Sequence, residues 1–306
     1  MFVTVTIQTY NRSRMLAETL ESLRLLECPD DIDYEILIID NNSSDDTLDV
    51  IKKYRDLLAP RLRSVFEENQ GLSHARNRAL KDARGEIVCF LDDDVKVSPD
   101  WLIAVTDAFR KYNASVVGGR SYLIYPDSRP PWLPVRAETL LSRLDYGDSP
   151  LVNTDKELYG LNFSVLKQKA LDAGGFDIRF GRNGNKLFSG EEKQLQDKIQ
   201  KAGGIVVYEP KALVGHIVTP EKLTKKWFFK CVYDGGFSSQ KMLAERSKGK
   251  VRIGTALIHS IRCWGSVGKS VLSGHATSEQ IFIKELHAIR SLGALMEALL
   301  STIWKR

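Results

Sequence analysis

A chain of 306 residues can hold one large domain or two smaller ones. With 43% hydrophobic and 27% charged residues it is not a disordered chain, and four cysteines without CxxC spacing exclude a zinc knuckle or a dense disulfide framework. The net charge of +5 is unevenly spread: residues 1–210 carry 28 Lys and Arg against 33 Asp and Glu, and residues 211–306 carry 16 against 6. The tail therefore suits an anionic partner, or else presents a basic solvated surface.

In chain order, Phe2–Thr9 alternates like a strand and lacks the basic start and cleavage site of a signal peptide, so a cytoplasmic protein with free thiols is expected. Further strands are predicted at Tyr34–Asp40, Leu62–Phe66, Ile87–Leu91 and Ser115–Gly118. Helical patterns lie between them, as in Arg14–Leu26 with Leu16, Leu20 and Leu23 at helix spacing. Such alternation is the signature of βα units and a parallel sheet. Ser98-Pro99-Asp100-Trp101 starts another helix.

Five prolines between Tyr125 and Pro150 (126, 130, 131, 134 and 150) predict a long loop. Regular structure resumes with Leu158–Val165, a helix near Lys167–Ala173, the turn Gly174-Gly175, a helix over Glu191–Ala202, and strands at Ile205–Tyr208 and Ala212–His216. This half reads as mixed rather than purely parallel. After Pro220 the pattern is helical, and its apolar stripe runs to Ile303 and Trp304. Charges interrupt every apolar run, so surface attachment to a membrane is expected rather than spanning.

The densest chemical signal is Asp92-Asp93-Asp94 at the end of an apolar strand. Three crowded carboxylates repel one another unless a cation or solvent compensates, and hard divalent ions prefer such oxygen ligands. Thr9-Tyr10-Asn11-Arg12 and Asp40-Asn41-Asn42 also follow strands. In an open α/β sheet all three strand ends face one crevice. Each alone reads more simply as a capped loop.

Together these segments resemble a family 2 glycosyltransferase of the GT-A fold. Thr9 to Arg12 resembles the first nucleotide loop, Asp40 the base-contacting acid, Asn69 to Asn77 the segment after the third strand, and Asp92 to Asp94 the DxD element. Gly174-Gly175-Phe176-Asp177 resembles the acceptor-side turn, and Gly190-Glu191-Glu192 the acidic helix start, whose second position is more often Asp. The order holds from Met1 to about Gly236.

The resemblance implies a GT-A nucleotide-binding sheet flanked by helices with a helical C-terminal extension. A catalytic domain would span 1–220, with a donor half at 1–120 and an acceptor half at 121–220, followed by a helical region at 221–306. It implies donor contacts from Thr9, Tyr10, Asn11, Arg12, Asp40, Asn69, Gly71, Arg76, Asp92 and Asp93, and Mg2+ or Mn2+ on Asp94 and His216. Glu192 would be the base, with Glu191 its rival; Asn162, Phe163 and Trp132 would line the acceptor side.

The expected reaction is inverting transfer from a nucleotide sugar, by default a UDP-sugar, to a saccharide or polyprenyl-linked acceptor in polysaccharide or glycolipid assembly. The basic tail would sit on the anionic inner face of the cell membrane, without nucleic acid as partner. A catalytically inactive nucleotide-sugar binder of the same fold and, with less support, a sugar nucleotidyltransferase are the other readings. The first would need a damaged acidic set, and the second a glycine-rich loop after the first strand.

Overall fold

The computed structural model describes residues 1–28, 31–184, 186–246, 253–274 and 276–303. Two compact units emerge: Met1–Ile124, Ser142–Gly184 and Glu191–Ile217 form the first. The second takes Tyr125–Leu141, the described part of 185–190 and the described chain from Val218 onward.

The first unit is built on one sheet. Its strands are β1 (Phe2–Thr9), β2 (Asp33–Asp40), β3 (Leu62–Phe66), β4 (Ile87–Asp92), β5 (Val95–Val97), β6 (Val116–Ile124), β7 (Leu151–Val152), β8 (Asn162–Leu166) and β9 (Val206–Ile217). Among the described residues the order is β3-β2-β1-β4-β8-β6-β9-β5, with β7 also on β9. Strands β1 to β4 are parallel to one another, whereas β8 runs antiparallel to both β4 and β6. Both sheet faces are covered, and strand β2 is apolar on both sides: Ile36 and Ile38 enter one core, Leu37 and Ile39 the other.

Helices α1 (Ser13–Leu23), α2 (Thr47–Leu57), α3 (Leu72–Asp82), α4 (Trp101–Tyr112), α5 (Lys167–Asp172) and α6 (Glu191–Lys201) flank this sheet. The predicted spacing is met in α1, which buries Leu16, Leu20 and Leu23. Two strands expected at Ile205–Tyr208 and Ala212–His216 are one strand, β9, whose pairing with β6 shifts register between Gly119 and Ser121. That irregularity lets the strand continue past Pro210, which has no amide hydrogen for the ladder. The three-residue β5 was not expected; it is too short to show a period.

The second unit carries α7 (Lys225–Arg246), α8 (Ile253–Ser273) and α9 (Ser278–Ile303). A Cβ on Gly236 would lie 2.0 Å from the Arg290 carbonyl oxygen, and one on Gly293 2.0 Å from that of Tyr233, so the backbones of α7 and α9 touch where both lack side chains. The boundary expected at 220 falls after Ile217, and two earlier segments join the helices. One is the proline loop, where Trp132 packs edge-on against Phe228 and Phe282 at 5.6 and 5.5 Å. The other contains Leu187, whose amide donates to Asp234 Oδ2 at 2.8 Å. Neither contact could be foreseen from composition. No described helix is long and apolar enough to cross a membrane, and Trp304 lies outside the described residues.

Candidate active site

The loops after β1 and β2 are knitted together by short polar side chains. Asn11, at φ 51°, accepts the Ser44 amide on Oδ1 at 2.7 Å, and its own amide donates to Ser43 Oγ. Asp45 accepts the Ser13 amide at 3.1 Å, capping α1 from the neighbouring loop. Asp40 accepts the Ser43 amide at 3.0 Å, while Tyr10 remains exposed.

Asn41 joins the ends of β2 and β3 to the start of α3. Its Nδ2 donates to the carbonyls of Glu67 and Asn69, and its Oδ1 accepts the Gly71 amide at 2.8 Å. Asn69 donates in turn to Glu67 Oε1. Asn41 was missing from the sequence-derived set although it directly follows Asp40. A short amide side chain at a strand end was the available signal.

Asp92, Asp93 and Asp94 separate into two clusters. In the first, Arg12 reaches from the β1 loop to Asp93 Oδ1 at 2.9 Å and Asp94 Oδ2 at 2.7 Å, and Thr9 donates to Asp93 Oδ2. His216 Nε2 stands 3.2 Å from the same Asp94 oxygen. Sheet register makes that meeting: Val95 pairs with His216 on β9, and the Ile217 amide donates to the Asp94 carbonyl. Burial, partly offset by Arg12, pushes the Asp93 carboxyl up to about 7.

In the second cluster Arg76 is buried, its side chain 1% exposed, among three carboxylates. Its Nη1 lies 2.9 Å from Glu191 Oε1 and 2.6 Å from Glu192 Oε1, and its Nη2 lies 3.5 Å from Asp92 Oδ1. The guanidinium therefore ties the end of β4 to the first turn of α6. Arg76, expected on the donor side, is enclosed here as the counter-charge of these acids. The Glu192 side chain is 15% exposed and that of Glu191 3%. One guanidinium cannot balance three carboxylates, and burial beside Glu192 pushes Glu191 up to about 8.

Gly160 makes room for this pair: a Cβ there would lie 2.1 Å from both Arg76 Nη2 and Glu192 Oε1. Next to Arg76 in the chain, Asn77 holds the turn at Gly174-Gly175 by accepting the Phe176 amide and donating to its carbonyl, each at 2.8 Å. Gly175, at φ +68°, lets the chain turn there.

Two expected acceptor residues are internal. Asn162 accepts the indole N–H of buried Trp101 at 2.9 Å and donates to the carbonyls of Ala212 and Arg120, so its amide is fully used in joining β8 to its neighbours. Phe163 is in the core beside Phe176. Its place on β8, paired with Phe90 and Gly118 between two sheet neighbours, explains that burial. Trp132 belongs to the second unit.

Among the described residues no group of three or more His, Cys, Asp or Glu is arranged to hold a metal ion. The Asp94–His216 pair nevertheless suits one. Adjacent ligands of an octahedral ion with 2.0–2.1 Å bonds stand about 3 Å apart, and Mg2+-like ions commonly take only one or two protein ligands, with substrate oxygens and water completing the shell.

Residues 4–174 match the family described as Glycosyl transferase family 2. The chain is 26% identical over 251 residues to the succinoglycan biosynthesis protein ExoM of Rhizobium meliloti, covering 81% of this chain and 77% of that one. It is 25% identical over 248 residues to a glucosyl-dolichyl phosphate glucuronosyltransferase of Haloferax volcanii, covering 79% and 77%. Among solved structures, the fold is similar to the mannosyltransferase PcManGT of Pyrobaculum calidifontis in complex with GDP-Man and Mn2+, at TM-score 0.63 and 16% identity over 99% of this chain and 87% of that one. It is also similar to S. aureus TarS 1-349 in complex with UDP, at TM-score 0.53 and 22% identity over 76% of this chain and 65% of that one. With the family match spanning more than half of its length, the chain belongs to glycosyl transferase family 2, in a mixed α/β fold of the GT-A kind with C-terminal helices.

Proposed function

We propose that the chain transfers a sugar from a nucleotide-sugar donor, by default a UDP-sugar, to a hydroxyl of a saccharide or lipid-linked acceptor, with inversion at the anomeric carbon. The observation that carries this reading is the gathering of Asp92, Glu191 and Glu192 around Arg76, one residue along the chain from the Asp93–Asp94–His216–Arg12 cluster. Complexes of similar folds with UDP, and with GDP-Man and Mn2+, support the donor class.

Glu192 is the base in this scheme. It is the more exposed of the two glutamates, and Arg76 fixes one of its oxygens by a 2.6 Å hydrogen bond. As the acceptor oxygen bonds to the anomeric carbon, its proton passes to the Glu192 carboxylate, and the carbon–oxygen bond to the diphosphate breaks with its electron pair on the phosphate. Attack opposite the leaving group inverts the centre. Asp94 and His216 would hold a divalent cation, which when bound supplies Lewis-acid stabilisation to the diphosphate. Tyr10, Asn11 and Asp40 form the nucleoside side of the site.

The test is a screen of nucleotide sugars for hydrolysis or transfer, followed by Glu192→Gln on the donor that reacts. The amide keeps the shape but cannot take the proton, so turnover falls by about 10²–10⁴ while UDP affinity by calorimetry is unchanged. Wild-type turnover in Glu192→Gln together with loss in Glu191→Gln would move the base by one residue. Binding of a nucleotide sugar without any turnover in the wild type would return the chain to the inactive reading.

A further inference from the structure

Helix α8 is amphipathic in the reverse of the usual sense. The face it turns inward is made of small side chains, two of its buried members being serines: Ser260, Val267 and Ser270 are buried, with Cys263 half-buried, at helix spacing along one side. Ser291 of α9 donates from its hydroxyl to Ser260 Oγ at 3.2 Å, and Lys284 donates to Ser270 Oγ.

The outward face is large and apolar. Leu257, Ile261, Trp264 and Leu272 form a stripe, flanked by Ile258 and Val271, and Ile261 and Leu272 are 62% and 88% exposed. Gly265 and Gly268 lie along the same stripe with open space around them. Large apolar side chains gathered on a water-facing surface mark an interaction site rather than chance exposure.

The charge around this face selects the partner. Arg262 and Lys269, both exposed and two turns apart, border the stripe. From Arg246 to Ser278 the sequence contains no Asp or Glu, while Arg246, Lys248, Lys250, Arg252, Arg262 and Lys269 fall within it. A two-fold contact between copies through this face would bring such helices together without a carboxylate of the segment to pair them. An anionic lipid surface offers both an apolar layer for the stripe and negative headgroups for its basic border. We propose that α8 lies in the interface of an anionic bilayer, Trp264 at headgroup level, with the stripe from Leu257 to Leu272 facing the acyl chains. This attachment is independent of the transfer reaction and holds equally for a chain without turnover.

Cosedimentation of the full chain with phosphatidylcholine vesicles, with and without phosphatidylglycerol, tests it. Binding is expected only with phosphatidylglycerol, falling as salt rises, with a blue shift of tryptophan emission that Trp264→Phe removes. Ile261→Glu with Trp264→Glu lowers the bound fraction roughly tenfold or more, and so does Arg262→Glu with Lys269→Glu, which leaves the apolar stripe intact and serves if the first variant fails to fold. Equal recovery in the supernatant with both vesicle types at low salt overturns the proposal. A concentration-dependent dimer in ultracentrifugation, dissolved by Ile261→Glu with Trp264→Glu and accompanied by no vesicle binding, also overturns it in favour of a second copy.

Discussion

Arg12 and Arg76 do the same electrostatic task in two different settings. Each guanidinium neutralises crowded carboxylates, but the Arg12 side chain is 31% exposed on a loop, whereas Arg76 is enclosed. Burial opposes both charges, and the surrounding acids outweigh it in both cases, raising each pKa. The Arg76 side chain is only 1% exposed. In the proposed mechanism, the difference separates a partly solvated counter-charge on the donor side from an enclosed one beside the proposed base, Glu192.

The strongest test of that contrast is to neutralise each arginine. Arg76→Met strands buried carboxylates and should cost about 3–5 kcal/mol of stability, with loss of transfer. Arg12→Gln should cost on the order of 1 kcal/mol, because its setting is partly solvated. Chemical denaturation compares the two directly, and added Mn2+ should recover the loss in the Arg12 variant only. Equal costs would break the comparison.

A smaller effect is expected at the oxygen that Arg12 and His216 share. Asp94→Asn should remove the Mn2+-dependent part of UDP affinity, a loss of roughly tenfold or about 1.4 kcal/mol. Calorimetric titration with and without Mn2+ measures it, and an unchanged metal-dependent increment would remove Asp94 from the ligand set. Asp94 is buried, so the amide is the gentler substitution.

The smallest effect concerns pH. Glu191 is raised from 4.5 to about 8, so between those values the folded chain holds a proton that the unfolded chain has released. Stability therefore falls as pH rises through that window. Glu191→Gln cannot ionise and should flatten the decline, by on the order of 1 kcal/mol or ~2–4 °C in Tm at the upper end. Thermal unfolding of both proteins across the window checks the slope; parallel curves would mean that Glu191 stays ionised beside Arg76.

Much of the first unit was legible because its strands are local events. The limits of β1 and β3 coincide with the predicted strands, and the strand-end acids follow from the βα pattern alone. Pairings distant in sequence were not legible. That Arg76 meets Glu191 across 115 residues, and that β5 delivers Asp94 to His216, depend on sheet order and register. Asn162 and Phe163 were legible as part of a regular segment, Leu158–Val165, but its place between β4 and β6, which turns both side chains inward, was not. The basic, acid-poor character of α8 was visible in composition. Which of its faces is outward was not, because serines pack inward there.

The space at Gly160 has a consequence for how activity could be lost in evolution. Any side chain at that position meets the guanidinium and the carboxylate at once. In the proposed mechanism, a single codon change there disarms the protein while leaving every acidic residue in its sequence unchanged. A chain of this kind that keeps all its carboxylates but carries a larger residue at position 160 should therefore be suspected of having turned from an enzyme into a sugar-nucleotide sensor, a conversion that inspection of the acids alone would overlook.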